Sequence, residues 1–325
     1  MKVKDVIQLE CGQTYFLELD DGSLLEAGDI FMSVEKELGT RPYHFSDFEN
    51  PSDLNKRVMT ICTMVGCLCH CKFCASKNSF KRLLTAEEIV EQVDLMANYG
   101  TKFGRESDLS KANELRVLYT RMGEPMLNAD NVIESIKILI ERYPNIIIGM
   151  STSGYKVGLN KFLKNPEIIK NIDMQFSLHS TNDEERNYLF GTKTGLQNLN
   201  IEQIAEYVKK WRKFTNKQVS LNMILFDNCE YDIKKLYNIF GNKDIWLRLS
   251  PWNEVESEKN NFNGLLKTED CINKKPITSE KLKKIINDLE SYGISYSYAP
   301  AIDEEIKNNV ACGQALEAYK KLIKN

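Results

Sequence analysis

The strongest constraint on this chain's fold is a regular alternation that begins at Arg57. From there, strand-like apolar runs at 58–62, 115–120, 146–151, 172–178, 219–226 and 245–249 alternate with segments of helical period. The helical segments fall at 85–98, 129–143, 201–214, about 231–240 and 279–292. Connections of that length carry the chain back across a sheet rather than round a tight turn, so the pattern predicts a parallel sheet, open or closed into a barrel. Thr85 followed three residues later by Glu88 is a capping box, which fixes the start of the first helix. A run rich in cysteine therefore lies in the loop that leaves the first strand. In parallel α/β sheets that end of the strands is where ligands bind.

Before the alternation, residues 14–30 carry two apolar runs around Asp21-Gly22, the pattern of a β-hairpin. Residues 39–56, rich in Pro, Asn, Asp and aromatics, read as a connecting loop. The expected organisation is a hairpin extension over 1–56, a barrel over 57–300 and a C-terminal segment over 301–325. A chain of 325 residues can be filled by one large α/β domain of this kind.

Of the nine cysteines, Cys62, Cys67, Cys69, Cys71 and Cys74 share one short window, and the other four are scattered. An odd, clustered set points to thiolates in a reducing compartment rather than a disulfide framework. The N-terminus has no continuous apolar stretch, and no later run approaches the roughly 18 apolar residues of a membrane span, so the expectation is a cytoplasmic protein without membrane contact. Lys+Arg 43 against Asp+Glu 46 leaves a net charge of −3, without the overall basic balance of a dedicated nucleic-acid binder, though a local basic surface stays open.

Cys67, Cys71 and Cys74 have the spacing C-x3-C-x2-C. Three thiolates are one short of the four that complete a [4Fe–4S] cluster, which leaves one iron open to a ligand. A zinc knot is the competing reading, with Cys69 and His70 as further ligands. Structural zinc sites, however, usually draw on two ligand pairs separated by a longer loop. In radical S-adenosylmethionine (SAM) enzymes the open iron chelates SAM, and Phe73, just before the last cysteine, fits their pattern of an aromatic residue near the adenine.

Further strings make the chain resemble one branch of those enzymes, the RlmN/Cfr family of ribosomal RNA adenine methyltransferases. Val65-Gly66-Cys67 and Leu84-Thr85-Ala86-Glu87-Glu88-Ile89 resemble the flanks of the family's cluster loop. Met122-Gly123-Glu124-Pro125-Met126-Leu127-Asn128 resembles its G-E-P-L-L-N stretch, and Ser151-Thr152-Ser153-Gly154 another strand end. Ser177-Leu178-His179 with Asn182-Asp183-Glu184 resembles S-L-H-A-x-N-D-E, and Pro251-Trp252-Asn253 resembles P-W-N. The resemblance implies a partial (β/α)6 barrel with a small N-terminal β extension. It also implies a [4Fe–4S] cluster on Cys67, Cys71 and Cys74, and SAM held by Phe73, Gly123, Glu124, Ser151, the Ser177-Leu178-His179 strand end and Asn253.

For catalysis, Val310-Ala311-Cys312-Gly313-Gln314 resembles the family's A-A-C-G-Q. There the cysteine accepts a methyl group from one SAM before a second SAM supplies the radical, and the resulting methylene adds to adenine. Glu26 aligns with the family's proposed general base. The plain alternatives are a buried Cys312 and a surface Glu26. The resemblance further implies an RNA substrate, rRNA or tRNA, an electron donor such as flavodoxin or ferredoxin, and a monomer.

Three departures are visible. The family's resolving cysteine, seven residues before the first cluster ligand, is Thr60 here, which has no thiol to attack sulfur. Cys62, two residues on and on the same strand face, is the candidate substitute. Little of the family's helical RNA-contacting domain fits before residue 14, and the segment 187–193 lacks the family's P-I-N. A radical SAM enzyme acting on another nucleotide, a peptide or a small molecule, and a non-methylating or regulatory homologue, are the alternative readings.

Overall fold

The computed structural model describes residues 1–9, 11–30, 38–39, 56–77, 79–191, 198–252, 275–298 and 315–322. The chain opens with an antiparallel meander, β1 (Lys2–Leu9), β2 (Gly12–Glu18) and β3 (Leu24–Ile30). The expected hairpin is β2–β3. β1 adds a strand whose charged, largely exposed residues gave no alternating signal, because it lies at the sheet edge.

A short strand β4 (Leu38–Gly39) precedes the barrel strand β5 (Lys56–Ile61). After β5, β6 (Met64–Val65) pairs with β7 (Arg82–Leu83) to close the cysteine loop at its base. Helix α1 (Ala86–Gly100) then begins at the capping box, with Thr85 and Glu88 bonding reciprocally. The β-α succession continues through β8 (Glu114–Tyr119), α2 (Ala129–Arg142), β9 (Ile147–Thr152), α3 (Lys156–Leu163), α4 (Pro166–Ile169) and β10 (Ile172–Ser177). It ends with α5 (Asp183–Phe190), α6 (Ile201–Arg212), β11 (Val219–Leu225), α7 (Ile233–Phe240), β12 (Ile245–Pro251), α8 (Ser279–Ser291), β13 (Tyr296–Tyr298) and α9 (Ala315–Leu322).

β5, β8, β9, β10, β11, β12 and β13 pair in parallel in chain order, so the six expected strands are present and a seventh, three residues long, follows them. The whole sheet runs β1-β2-β3-β5-β8-β9-β10-β11-β12-β13-β4. β3 occupies the outer edge of β5 in antiparallel register, Gly28 opposite Thr60 and Asp29 opposite Met59, which leaves the barrel open. The N-terminal extension is thus continuous with the barrel sheet.

Burial follows the periodicity. β5 is buried at every residue, whereas β8 and β10 alternate buried with half-buried positions. α1 lays Ile89, Val90, Val93, Met96 and Ala97 on the sheet, and burying each such side chain contributes on the order of 1–3 kcal/mol. At the far C-terminus, Ala315, Leu316 and Tyr319 are buried, and the Tyr319 ring stacks on Phe16 of β2 at 4.0 Å. Among the described residues no helix is long and apolar enough to cross a membrane.

Candidate active site at the carboxyl ends of the barrel strands

The cysteine loop is pinned before its first cysteine ligand. Thr63 N donates to Met122 O at 2.9 Å, and Asn128 Nδ2 donates to both Thr63 O and Leu84 O at 2.8 Å. Gln92 of α1 brackets Cys62 with two bonds, receiving its N–H at 2.9 Å and donating to its carbonyl at 3.0 Å. Gly66 has φ +75°, and a β-carbon there would stand 2.0 Å from Ser79 O, so the returning strand of the loop closes directly on its backbone.

Within the loop Cys67 and Cys69 are buried, and Cys71 and Cys74 half-buried. Cys67 Sγ accepts from Cys69 N at 3.4 Å, and Cys69 Sγ lies 3.3 Å from the Tyr155 hydroxyl. The contact between the Cys67 and Cys69 side chains, followed by burial, pushes the Cys67 thiol well up, and the Cys69 N–H pulls it part of the way back. Among the described residues no group of three or more His, Cys, Asp or Glu is gathered so as to hold a metal ion. A cubane cluster makes a different demand, since it spreads its thiolates over separate irons. Cys67 and Cys74 share one loop with Cys71 and lie near enough for their charges to act on it, an arrangement such a cluster can use.

Glu124 faces the loop and is buried. Its Oε1 accepts from Thr152 Oγ1 at 2.5 Å and Met126 N at 3.0 Å, and its Oε2 accepts from Ser153 N and Oγ, both at 2.8 Å. Burial raises its pKa, and these bonds oppose the rise. The carboxylate therefore clamps the ends of β8 and β9, and the residues holding it are Thr152 and Ser153, next to the expected Ser151. Ser151 Oγ itself accepts from Gln175 Nε2 at 3.0 Å. Gly123 has φ +110°, and a β-carbon there would meet Thr63 Oγ1 at 2.4 Å.

On the next strand end, Leu178 N and His179 N both donate to Asn222 O, at 2.8 and 3.1 Å. Ser177 is half-buried, and its carbonyl accepts from Arg186 Nη2 at 3.3 Å. His179 is a non-glycine residue at φ +64°, a conformation held by its neighbours. Its Nδ1 accepts from Ile224 N at 3.1 Å, which puts the proton on Nε2. The Phe73 ring meets it edge-on at 4.8 Å, joining the cysteine loop to this strand end.

Burial, with Arg186 nearby, lowers the His179 pKa to about 3, so the ring is neutral at physiological pH. The unfolded chain takes up this proton first on acidification. Stability from this residue is therefore full above about pH 6.5 and is lost as pH falls toward 3, by about 1.4 kcal/mol per pH unit. Urea unfolding at pH 7, 6 and 5 should follow that slope more steeply than H179Q does.

Sequence reading missed two arginines. Arg186 is wholly buried and donates to Ser153 O at 2.8 Å and to Leu199 O, tying β9 to the start of α6, and burial lowers its pKa to about 10. Arg121 lies beside Glu26, Nη1 to Oε1 3.6 Å, and donates from Nε to Thr60 Oγ1 at 2.8 Å. Charge pattern carries no signal for either, because their partners are distant in sequence. Glu26 is fully buried, which corrects the alternative of a surface strand residue. Its Oε2 accepts from Leu316 N at 2.8 Å, and its carbonyl accepts from Cys62 Sγ at 3.0 Å. Burial raises the Cys62 thiol far above the usual range, with the Glu26 charge second.

The structure thus gathers Glu26, Cys62, Cys67, Phe73, Cys71, Cys74, Gly123, Glu124, Ser151, Ser177, Leu178 and His179 at one end of the sheet. Asn253 and Cys312 lie outside the described residues.

The sequence profile of the Radical SAM superfamily matches residues 61–238. The chain is 31% identical over 264 residues to the probable dual-specificity RNA methyltransferase RlmN of Pseudothermotoga lettingae, covering 78% of this chain and 66% of that protein. It is 30% identical over 241 residues to the dual-specificity RNA methyltransferase RlmN of Sulfurovum sp., covering 71% and 61%. The chain therefore spans less than two thirds of the length of these relatives. In fold it is similar to the crystal structure of a radical SAM methyltransferase from Sphaerobacter thermophilus, with TM-score 0.72 and 19% identity over 96% of this chain and 80% of that one.

Proposed function

The chain belongs to the radical SAM superfamily, and from that premise we propose that it is a methyltransferase that passes a SAM-derived one-carbon group through Cys312 to an adenine of RNA. The superfamily uses a [4Fe–4S] cluster and SAM, and together these supply a reductively generated 5′-deoxyadenosyl radical when bound. Cys67, Cys71 and Cys74 would hold the cluster. Gly123, Glu124, Ser151, the Ser177-Leu178-His179 strand end and Asn253 would surround SAM, with Phe73 against the adenine.

In this reading residues 57–300 form the catalytic barrel, residues 1–56 bring Glu26 to its mouth, and residues 301–325 bring Cys312. The chain acts as a cytoplasmic monomer and draws electrons from a donor such as a flavodoxin or ferredoxin. Cys312 carries the methyl group, Glu26 accepts a proton from the adduct, and Cys62 stands in for the thiol that Thr60 cannot supply.

The observation that carries this reading is the bond from Leu316 N to the buried Glu26 carboxylate. It fixes the helix that starts three residues after Cys312 beside the strand end where the cysteine loop begins. The neutral His179 and the Phe73 and Phe190 rings packed on it would shield the end of β10 from water during radical chemistry.

Anaerobic incubation with SAM and a reductant followed by intact-mass measurement should add one methyl group, lost in C312A. Mass spectrometry of RNA nucleosides from cells with and without the protein should then reveal a methyladenosine that depends on it. Formation of 5′-deoxyadenosine without a methyl on Cys312 would point to a non-methylating enzyme instead.

A further inference from the structure

Thr60 sits where a thiol was expected, and the structure gives its hydroxyl a partner: Arg121 Nε donates to Thr60 Oγ1 at 2.8 Å. The Arg121 backbone is fixed as well, its N–H donating to Ile61 O at 3.1 Å. Only 7% of its side chain is exposed, and Nη1 lies 3.6 Å from Oε1 of the fully buried Glu26. Gly28, opposite Thr60 across the β3–β5 pairing, leaves the room for this arrangement: a β-carbon there would stand 2.8 Å from both Arg121 Nη2 and Thr60 Oγ1. The other Glu26 oxygen receives Leu316 N at 2.8 Å. A buried carboxylate is retained only when its charge is met, and here a guanidinium beside one oxygen and a helix N-terminal N–H on the other meet it.

We infer that Arg121 is a positioning residue: anchored by Thr60, it sets the Glu26 carboxylate so that Glu26 docks α9 at the barrel mouth. Its bearing on methyl transfer rests on the proposed role of Cys312. It gives position 60 a task of its own, that of a hydroxyl acceptor for an arginine. The three regions of the chain, extension, barrel and C-terminal segment, meet at this one network.

Two measurements on the intact protein test it. Hydrogen–deuterium exchange of the peptide covering 315–322 should speed up about tenfold in R121M and less in T60V, with T60S like wild type and the rest of the barrel unchanged. Methyl incorporation at Cys312 per SAM bound should fall in R121M and recover in part in R121K, while SAM affinity holds. In T60C, turnover on RNA should fall, because a thiol is a weak acceptor for a guanidinium.

Unchanged exchange over 315–322 in R121M would overturn the inference, as would a gain of turnover in T60C, which would mark position 60 as a resolving site awaiting its cysteine. If R121M does not fold, T60V and R121K decide on the same readouts. A wild-type protein that takes no methyl at Cys312 would remove the proposed function, and the exchange data would still judge the docking role.

Discussion

Replacing Cys67, Cys71 or Cys74 with alanine should reduce iron after anaerobic reconstitution from about four atoms per chain toward none, and SAM cleavage to 5′-deoxyadenosine should drop to background. Each of the three would hold a different iron, so no remaining pair can keep a cubane in place. C69A and H70A separate this from a zinc knot. Cys69 touches the neighbouring sulfurs and the Tyr155 hydroxyl, yet C69A should keep most of its iron and sulfide. A wild-type protein that returns zinc alone, with metal lost equally in C69A and H70A, would overturn the assignment. The assay is metal and sulfide content together with chromatography of 5′-deoxyadenosine.

The second large effect lies at the opposite end of β5. Asp29 is fully buried between two buried arginines: Arg57 Nη2 at 2.6 Å from its Oδ2, and Arg105 Nη2 at 3.1 Å from its Oδ1. Burial raises the Asp29 pKa, and Arg105 and then Arg57 pull it back. The triad ties β3 to β5 and to the segment before β8. Asp29→Ala leaves two guanidinium groups without their counter-charge and should destabilise the protein by about 3–5 kcal/mol in urea unfolding. The triple replacement R57M/D29L/R105M, which removes every charge at once, should recover most of that loss. Equal destabilisation by the single and triple variants would show that packing, rather than the uncompensated charge, dominates.

The parallel elements were legible because their signals are local. The run at 219–226 is β11 to within a residue, and the Thr85–Glu88 pair starts α1 as expected. β1 was illegible because an edge strand needs no apolar alternation, and β13 because Tyr296–Tyr298 is too short to carry a period. At the site, the place of the cysteine loop could be read from the strand before it and the capping box after it. The Glu124 clamp could not: the resemblance gave Glu124 and Ser151 as SAM contacts, and no string pairs Glu124 with Thr152 and Ser153, which lie on another strand end and hold the carboxylate. Arg121 and Arg186 were missed for a related reason, since an arginine that serves distant carbonyls and carboxylates has no periodic signature.

Because β3 has already taken the outer edge of β5, no further strand can zip the first barrel strand to the last. The first barrel strand spends both of its edges on β3 and β8, and the described sheet ends on β1 at one side and on β4 at the other. Cutting the extension away would bare the backbone donors and acceptors along that side of β5.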